Sequence, residues 1–156
     1  MVKLSGMVMF SNDGCGKIVK EEVEIDVDDD ITELDLTRRR LLSVANFGSL
    51  PKLEMLVLRW NLMKKIENLN GLHCLTRLSF YDNQIANWSE IAYLNRLPSL
   101  RDVAFEMNPI YSAQHFYRNR IREILPRVRI IDGFPAKWIT GDPWQQLSEG
   151  SEGSCV

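Results

Sequence analysis

Cysteine is scarce in this sequence, and a long hydrophobic run is missing. The chain has three cysteines, at positions 15, 74 and 155, and no two of them form a CxxC pair. Such spacing suits neither a disulfide framework nor a zinc site, which favours a reduced intracellular setting. The first 19 residues lack the continuous apolar segment of a signal peptide or a membrane span, so we expect no membrane partner. The expected location is the cytoplasm, with nuclear and ciliary or cytoskeletal locations as further options.

A strong net charge is also absent. The 19 lysines and arginines nearly balance the 21 aspartates and glutamates, and the formal net charge is −2. A chain with this balance has no general electrostatic attraction to nucleic acid or to membranes. Acidic residues are nevertheless concentrated between positions 21 and 30, and arginines between positions 118 and 129. In a fold that keeps sequence order in space, these segments predict one acidic end and one basic end.

The sequence contains no recognisable catalytic or metal-binding motif. His73 and Cys74 are sequence neighbours, so they cannot face each other as base and nucleophile. Residues 14–17 lack the spacing of a phosphate-binding loop, and the aspartates at 28–30 lack that of a calcium loop. We therefore expect no catalytic residue, no bound metal and no cofactor, and we expect that the protein is not an enzyme.

What the sequence does contain is one short hydrophobic pattern that recurs five times. Residues 34–36, 56–58, 78–80, 103–105 and 128–130 each place two apolar side chains two positions apart, at intervals of 22, 22, 25 and 25 residues. Such a period lies within the range of about 20–29 residues that is typical of leucine-rich repeats. It predicts an α/β fold, a leucine-rich-repeat solenoid of about five repeats. The expected elements are a parallel concave sheet, convex 3₁₀ or α segments and a C-terminal helical cap.

An asparagine follows the second apolar residue in three of these units. Asn61, Asn83 and Asn108 each come three residues after it. A side-chain amide offers both donors and an acceptor, so it can satisfy turn backbone groups that would otherwise be buried without partners. The first unit has Arg39 at this place, which suits an end repeat that reaches solvent.

The sequence also predicts three segments. Residues 1–30 form an N-terminal leader and capping strand, with residues 1–20 loosely attached and apolar residues alternating from 23 to 27 as in a half-buried strand. Residues 31–133 form the repeat domain with its C-terminal cap, in which a helix is expected over 113–125. Residues 134–156 form an aromatic and then disordered tail, whose tryptophans either fold back over the last repeat or anchor a partner. We expect a monomer.

Longer stretches of the chain resemble known leucine-rich-repeat proteins. Residues 53–72 and 78–85 resemble the repeats of the leucine-rich regulatory subunit of protein phosphatase 1, and residues 88–109 resemble outer-arm axonemal dynein light chain 1. Residues 116–133 are similar to the C-terminal cap of both, which also occurs in the spliceosomal A-prime protein and the acidic leucine-rich nuclear phosphoproteins. The resemblance implies a non-catalytic intracellular adaptor or regulatory subunit. Its expected partner is a protein, either a phosphatase catalytic subunit or a motor or tubulin component.

The concave face is the expected protein-binding surface. Aromatic residues, methionine and arginine are enriched at protein interfaces, and they occur here among the residues that flank the inward leucines. A solvated face with weak ion pairs is the alternative interpretation. The predicted surface consists of Glu33, Asp35, Met55, Val57, Arg59, Trp60, Arg77, Ser79, Tyr81, Asp82, Asp102, Glu106 and Met107.

The C-terminal cap supports an alternative function. Arg118, Arg122, Arg127 and Arg129 could form a basic patch for phosphate contacts, which would make the protein a ribonucleoprotein subunit. Glu123 interrupts this charge, and the whole chain is acidic. We therefore favour a solvated cap helix and do not expect nucleic acid as a partner.

Overall fold

Two β-sheets and several short helices make up the computed structural model, which describes residues 1–44, 47–113 and 117–139. Within this part of the chain the strands are β1 (Val2–Asn12), β2 (Ile18–Val27), β3 (Glu33–Asp35), β4 (Leu41–Ser43), β5 (Met55–Val57), β6 (Arg77–Ser79), β7 (Asp102–Ala104), β8 (Ile130–Ile131) and β9 (Phe134–Pro135). The α-helices are α1 (Trp88–Ala92), α2 (Pro109–Ala113) and α3 (Tyr117–Ile124). Short 3₁₀ helices cover Phe47–Ser49, Tyr93–Arg96 and Ala136–Trp138.

The larger sheet is built from the repeated pattern. Its order is β3-β5-β6-β7-β8-β9, with parallel pairing from β3 to β8. Leu34, Leu56, Leu78 and Val103 are in register across the first four of these strands. Because strand side chains alternate between faces, these residues point into the core and leave their neighbours on the opposite face. The parallel sheet expected from the repeat period is therefore present.

The repeated asparagines hold adjacent turns together. Asn83 is buried, and its Nδ2 donates to the carbonyl oxygens of Leu58 at 2.8 Å and Phe80 at 3.0 Å, while its Oδ1 accepts the Met63 N–H at 3.1 Å. Asn61 and Asn108 make equivalent bonds in their own units. Each amide therefore joins two successive repeats and satisfies backbone groups inside the core, as their spacing predicted.

The last strand differs in register from the sequence prediction. The pattern at 128–130 placed Val128 and Ile130 inward, but β8 pairs Val103 with Ile131, and Ile131 is buried while Ile130 is exposed. Val128 is buried below the cap, ahead of the strand. The last unit contains both α2 and α3, and the interval from Val103 to its partner Ile131 is 28 residues, compared with 25 from Leu78 to Val103. The predicted alignment of this unit was wrong for that reason.

The N-terminal segment is a folded β-hairpin, so the prediction of a loosely attached leader was wrong. β1 pairs antiparallel with both β2 and β4, and its Leu4 and Met7 are buried in the core of the repeats. The hairpin thus covers the end of the core that the first repeat would otherwise expose. A register shift between Leu4 and Met7 breaks the alternation of β1, which hides the strand from a search for period two. The predicted alternation in β2 is present.

The C-terminal end combines helices with an added strand. Tyr117, Ile121 and Leu125 pack against the core. Of the range 113–125 predicted as a helix, Ala113 ends α2 and Tyr117–Ile124 form α3, while 114–116 lie outside the described residues. β9 pairs antiparallel with β8, and Ala136 behind it is buried. The tail thus folds back over the last repeat through residue 139, although the Trp138 side chain is 65% exposed. Trp144, and the disorder predicted for the end of the tail, lie outside the described residues.

Candidate protein-interaction surface

The outward residues of the large sheet form two rows along the face that the repeat pattern predicts to be concave, and we call it the concave face. Strand register places the rows side by side, and none of their side chains is buried. An open groove of about 320 Å³ runs between them. The first row is Glu33, Met55, Arg77, Asp102 and Ile130, and the second row is Asp35, Val57, Ser79 and Ala104.

A third row lies where the strands turn towards the convex side. Arg38, Trp60, Asp82 and Met107 occupy equivalent places in four repeats, and all four have positive φ angles between 53° and 64°. Backbone hydrogen bonds of 2.9 to 3.0 Å from the amides of the first three to the next repeat hold this conformation. The side chains turn outward as a result, leaving Trp60 46% and Met107 56% exposed.

Two arginines lie over two aromatic rings at the N-terminal part of this third row, which we call the rim of the concave face. The guanidinium carbon of Arg38 lies 5.1 Å from the centroid of the Trp60 ring, and that of Arg59 lies 5.1 Å from the centroid of Tyr81. The Trp60 and Tyr81 centroids are 6.0 Å apart, with planes tilted by 55°. We name these four residues the arginine–aromatic ladder. Cation–π contacts at exposed sites contribute about 0.5–1 kcal/mol each, enough to order the side chains without burying them.

Ion pairing divides the arginines of the surface into two groups. Arg77 Nε lies 3.3 Å from the carboxylate of Asp102 in the first row. Burial raises the pKa of Asp102, and the Arg77 cation opposes that rise. Arg38 and Arg59 form no ion pair within the part of the chain that the structure describes. Their guanidinium groups lie over the rings of Trp60 and Tyr81 instead.

Arg118 joins the cap to the last repeats and is not a free basic group. Its Nη2 lies 2.7 Å from Glu106 and its Nε 3.0 Å from Asp132, and its guanidinium contacts the rings of Tyr111, Tyr117 and Phe134. Burial raises the pKa of Asp132 to about 7, and the backbone N–H of Phe105 works against that rise. The Arg118 cation beside the carboxylate opposes it as well. Glu106, predicted for the concave surface, is thus used within the protein.

The other arginines of the predicted basic patch also have mostly internal partners. Arg122 donates a hydrogen bond to the carbonyl oxygen of Ile139. Arg127 donates to the carbonyl oxygens of Asn95 at 2.7 Å and Pro98 at 3.5 Å. Arg129 is exposed. The basic end of the sequence therefore serves largely to fasten the cap to the repeats.

Sequence reasoning missed several residues of this surface. Arg38 was missed because its repeat has Arg39 in place of the repeated asparagine. The residue directly before the asparagine lies on the third row in the other repeats, and the same rule applied to Arg39 identifies Arg38. Ile130 was assigned to the core, and its exposure follows from the later start of β8. Phe134, 48% exposed beside Arg118, belongs to a strand that has no counterpart in the repeat pattern.

The described residues include no cluster of three or more histidine, cysteine, aspartate or glutamate side chains placed to hold a metal ion. The same part of the chain has no helix that is both long and apolar enough to cross a membrane. Cys74 is exposed, as is its neighbour His73.

Comparison with known proteins identifies the type of fold. No family model matches the chain. A solved structure of the Drosophila melanogaster SNF/U2A' complex contains a chain that superposes with a TM-score of 0.55 at 21% identity, covering 75% of this chain and 87% of that one. The fold is of the leucine-rich-repeat type. This agrees with the parallel sheet and its asparagine-linked turns, and confirms the fold predicted from the repeat period at that level.

Two curated proteins are similar in sequence. The U2 small nuclear ribonucleoprotein A' of Emericella nidulans is 32% identical over 102 residues, which cover 64% of this chain and 44% of that protein. The mouse centrosomal protein of 72 kDa is 32% identical over 88 residues, covering 56% of this chain and 14% of that protein. The chain thus spans less than half the length of either relative. Neither is a phosphatase regulator or a dynein light chain, so the resemblance to those proteins stays a prediction.

Proposed function

We propose that this chain is a non-catalytic protein-binding module of a ribonucleoprotein assembly, and that it holds a protein subunit against its concave face. The observation that carries the proposal is the composition of that face. Met55, Val57, Ala104 and Ile130 line the rows with apolar groups that are not covered within the described chain. Between Met55 and Ile130 in the first row lie Arg77 and Asp102, which neutralise each other at 3.3 Å. A partner can therefore cover this mixture of apolar and paired polar groups without burying a bare charge.

The size of the face favours a partner that also touches its edges. The five parallel strands have two or three residues each, so they are about 10 Å long, and at a spacing of about 4.8 Å they present roughly 200 Å² in projection. A stable interface buries about 800 Å² on each partner. Trp60, Met107 and Phe134 are exposed around this area, and contact with them would extend the buried surface. A tight complex should therefore involve the rim as well as the strands.

The ribonucleoprotein assignment rests on similarity to the A' protein. The matched residues cover 44% of that protein, compared with 14% of the centrosomal protein. That similarity does not support the expectation that nucleic acid is excluded from the assembly. Because three of the four predicted cap arginines have internal partners, we assign RNA recognition mainly to the bound protein. A nuclear location follows from this proposal, in place of the cytoplasm.

A second candidate is an adaptor in a centrosomal or other cytoskeletal assembly. The similarity to the mouse centrosomal protein of 72 kDa favours it, and it agrees with the repeat resemblance to a dynein light chain. The same concave face would be used, so the two candidates differ in the partner and not in the surface. The regulation of a phosphatase has only the repeat resemblance in its favour.

Capture from source cells tests the function and separates the candidates. Ser79 lies in the middle of the second row, so Ser79→Arg places a long charged side chain in the groove. Gln84→Arg adds the same side chain at an exposed position outside the strands and is the matched control. We expect small nuclear RNA and its proteins to co-purify with the wild type and with Gln84→Arg, but not with Ser79→Arg.

Three outcomes would count against the proposal or redirect it. Retention of the partners by Ser79→Arg, with its melting temperature unchanged, contradicts docking on the concave face. Co-purification of centrosomal proteins without RNA favours the second candidate. Binding of RNA by the purified chain, with affinity that falls steeply as salt rises, would assign RNA contact to the chain itself.

A further inference from the structure

We propose that the arginine–aromatic ladder is a receptor for carboxylate side chains of an acidic segment on the protein partner. This inference rests on the proposed function, since it names the chemistry of the partner that the concave face holds. The ladder lies at the rim of that face, where Arg38 covers Trp60 and Arg59 covers Tyr81. The rest of the concave surface would then supply apolar contact, and the ladder would supply charge recognition.

The two arginines of the ladder differ from the other arginines of the surface. Arg77 and Arg118 are neutralised by carboxylates at 2.7 to 3.3 Å. Within the described residues, Arg38 and Arg59 have no such partner. Arg39 and Arg40, which follow Arg38 directly, are also exposed, so this part of the rim carries an excess of positive charge.

Contact with the rings prepares both guanidinium groups for a planar acceptor. A guanidinium that lies over a ring uses its face for the contact, so its in-plane N–H donors remain available. Carboxylates accept two of these hydrogen bonds at once. Because Trp60 and Tyr81 already hold the arginines in place, less side-chain entropy is lost when the carboxylate binds.

Carboxylates fit the ladder better than a nucleic-acid strand does. Base stacking needs an open ring face, but Arg38 covers a face of Trp60, Arg59 covers one of Tyr81, and the two rings contact each other. A phosphate backbone carries one charge per nucleotide, and Glu33 and Asp35 are exposed on the adjacent strand β3. Repulsion from these groups acts on carboxylates and phosphates alike, so the preference for carboxylates rests on the covered ring faces.

The test uses the full chain, labelled with ¹⁵N, and two defined probes at equal charge concentration: poly-L-glutamate and polyuridylate RNA. We expect poly-L-glutamate to shift the Trp60 indole N–H and the Nε–H resonances of Arg38 and Arg59. The double variant Arg38→Gln/Arg59→Gln should weaken this binding about fivefold, because each of the two exposed charge pairs contributes a factor of about two to three. Arg120→Gln/Arg129→Gln removes the same charge from exposed cap positions and should change it by less than about twofold.

A conservative variant separates geometry from charge. Arg38→Lys/Arg59→Lys keeps both charges but loses the planar pair of donors, so we expect it to bind poly-L-glutamate more weakly than the wild type. The inference is overturned if the cap variant loses as much affinity as the ladder variant, if the lysine variant binds as well as the wild type, or if poly-L-glutamate leaves the ladder resonances unmoved. It is also overturned if polyuridylate shifts those resonances at lower concentration, because the ladder would then be a nucleic-acid site.

Failure of this inference can be told apart from failure of the proposed function. If Ser79→Arg abolishes capture of the ribonucleoprotein but the ladder variant binds poly-L-glutamate normally, the function stands and the inference is wrong. If the ladder binds poly-L-glutamate as expected while Ser79→Arg still captures its partners, the carboxylate site is real and the concave-face function is wrong.

Discussion

Replacing Arg118 with methionine should destabilise the protein by an amount that grows with pH. Methionine keeps an apolar side chain beside the rings of Tyr111, Tyr117 and Phe134 but removes the cation. The carboxylate of Asp132, whose side chain is 0% exposed, then loses its partner at 3.0 Å. Removing one partner of a buried ion pair costs about 3–5 kcal/mol, and we expect a loss of that size above neutral pH.

The sign of the pH effect follows from the pKa of Asp132. Burial raises this pKa from the ordinary value of 3.8 to about 7 in the folded protein. Between pH 3.8 and about 7 the folded protein therefore binds a proton that the unfolded chain does not. Because of this, the free energy of unfolding falls as the pH rises through that range. Without Arg118 the pKa rises further, and the fall extends above pH 7. Near pH 5 the carboxyl is protonated in both proteins, and their difference should shrink to about 1–2 kcal/mol for lost hydrogen bonds.

Urea unfolding of the wild type and Arg118→Met at about pH 5, 7 and 8.5 measures this difference. The histidines, at positions 73 and 115, are common to both chains, so their titration largely cancels in the comparison. The control removes the buried carboxylate from both proteins by comparing Arg118→Met/Asp132→Asn with Asp132→Asn. The difference in the free energy of unfolding between these two variants should not vary with pH. A constant gap between wild type and Arg118→Met across the range would refute the assignment of Arg118 as the counter-charge of Asp132.

Three further predictions address the core, the hairpin and the rim. Asn83→Ala should lower the free energy of unfolding by about 3–5 kcal/mol, because it strands buried backbone groups of two repeats, whereas the exposed Gln84→Ala should change it by less than about 0.5 kcal/mol in urea titrations. Leu4→Ala should cost about 2–5 kcal/mol if the hairpin shares the core, and a loosely attached leader would give almost no change in the same assay. Trp60→Ala and Tyr81→Ala should each weaken capture of the partner while leaving the circular dichroism spectrum unchanged; full capture by both would exclude the ladder from the interface.

The repeat period was sufficient to predict the central sheet because its information is local. Leu56 and Leu58 alternate with outward residues, and both are buried as that alternation requires. Asn61 and its equivalents could be assigned from spacing, because each amide acts within a fixed number of residues of its strand. Most concave-face residues were therefore identified before their side chains could be placed.

Elements that depend on partners distant in sequence were predicted poorly. β1 is interrupted by a register shift, and its burial depends on β4 and on the core of the first repeats. The late start of β8 accompanies the two helices of the last unit, α2 and α3, whose interval is longer than that of the earlier repeats. The sequence predicted Arg118 as part of a basic patch. In the structure, two carboxylates and three aromatic rings contact its guanidinium group.

The sequence by itself determined the leucine-rich-repeat type of fold, the order of the parallel strands in the larger sheet and most of the composition of the concave face, since a regular period places each side chain relative to its own backbone. Tertiary structure alone decided which charges are available to a partner. Arginines are alike in sequence, but Arg118 is neutralised by Glu106 and Asp132, while Arg38 and Arg59 lie over aromatic rings. The physical reason is that pairing depends on distances of about 3–4 Å between groups from different repeats, which no local pattern specifies.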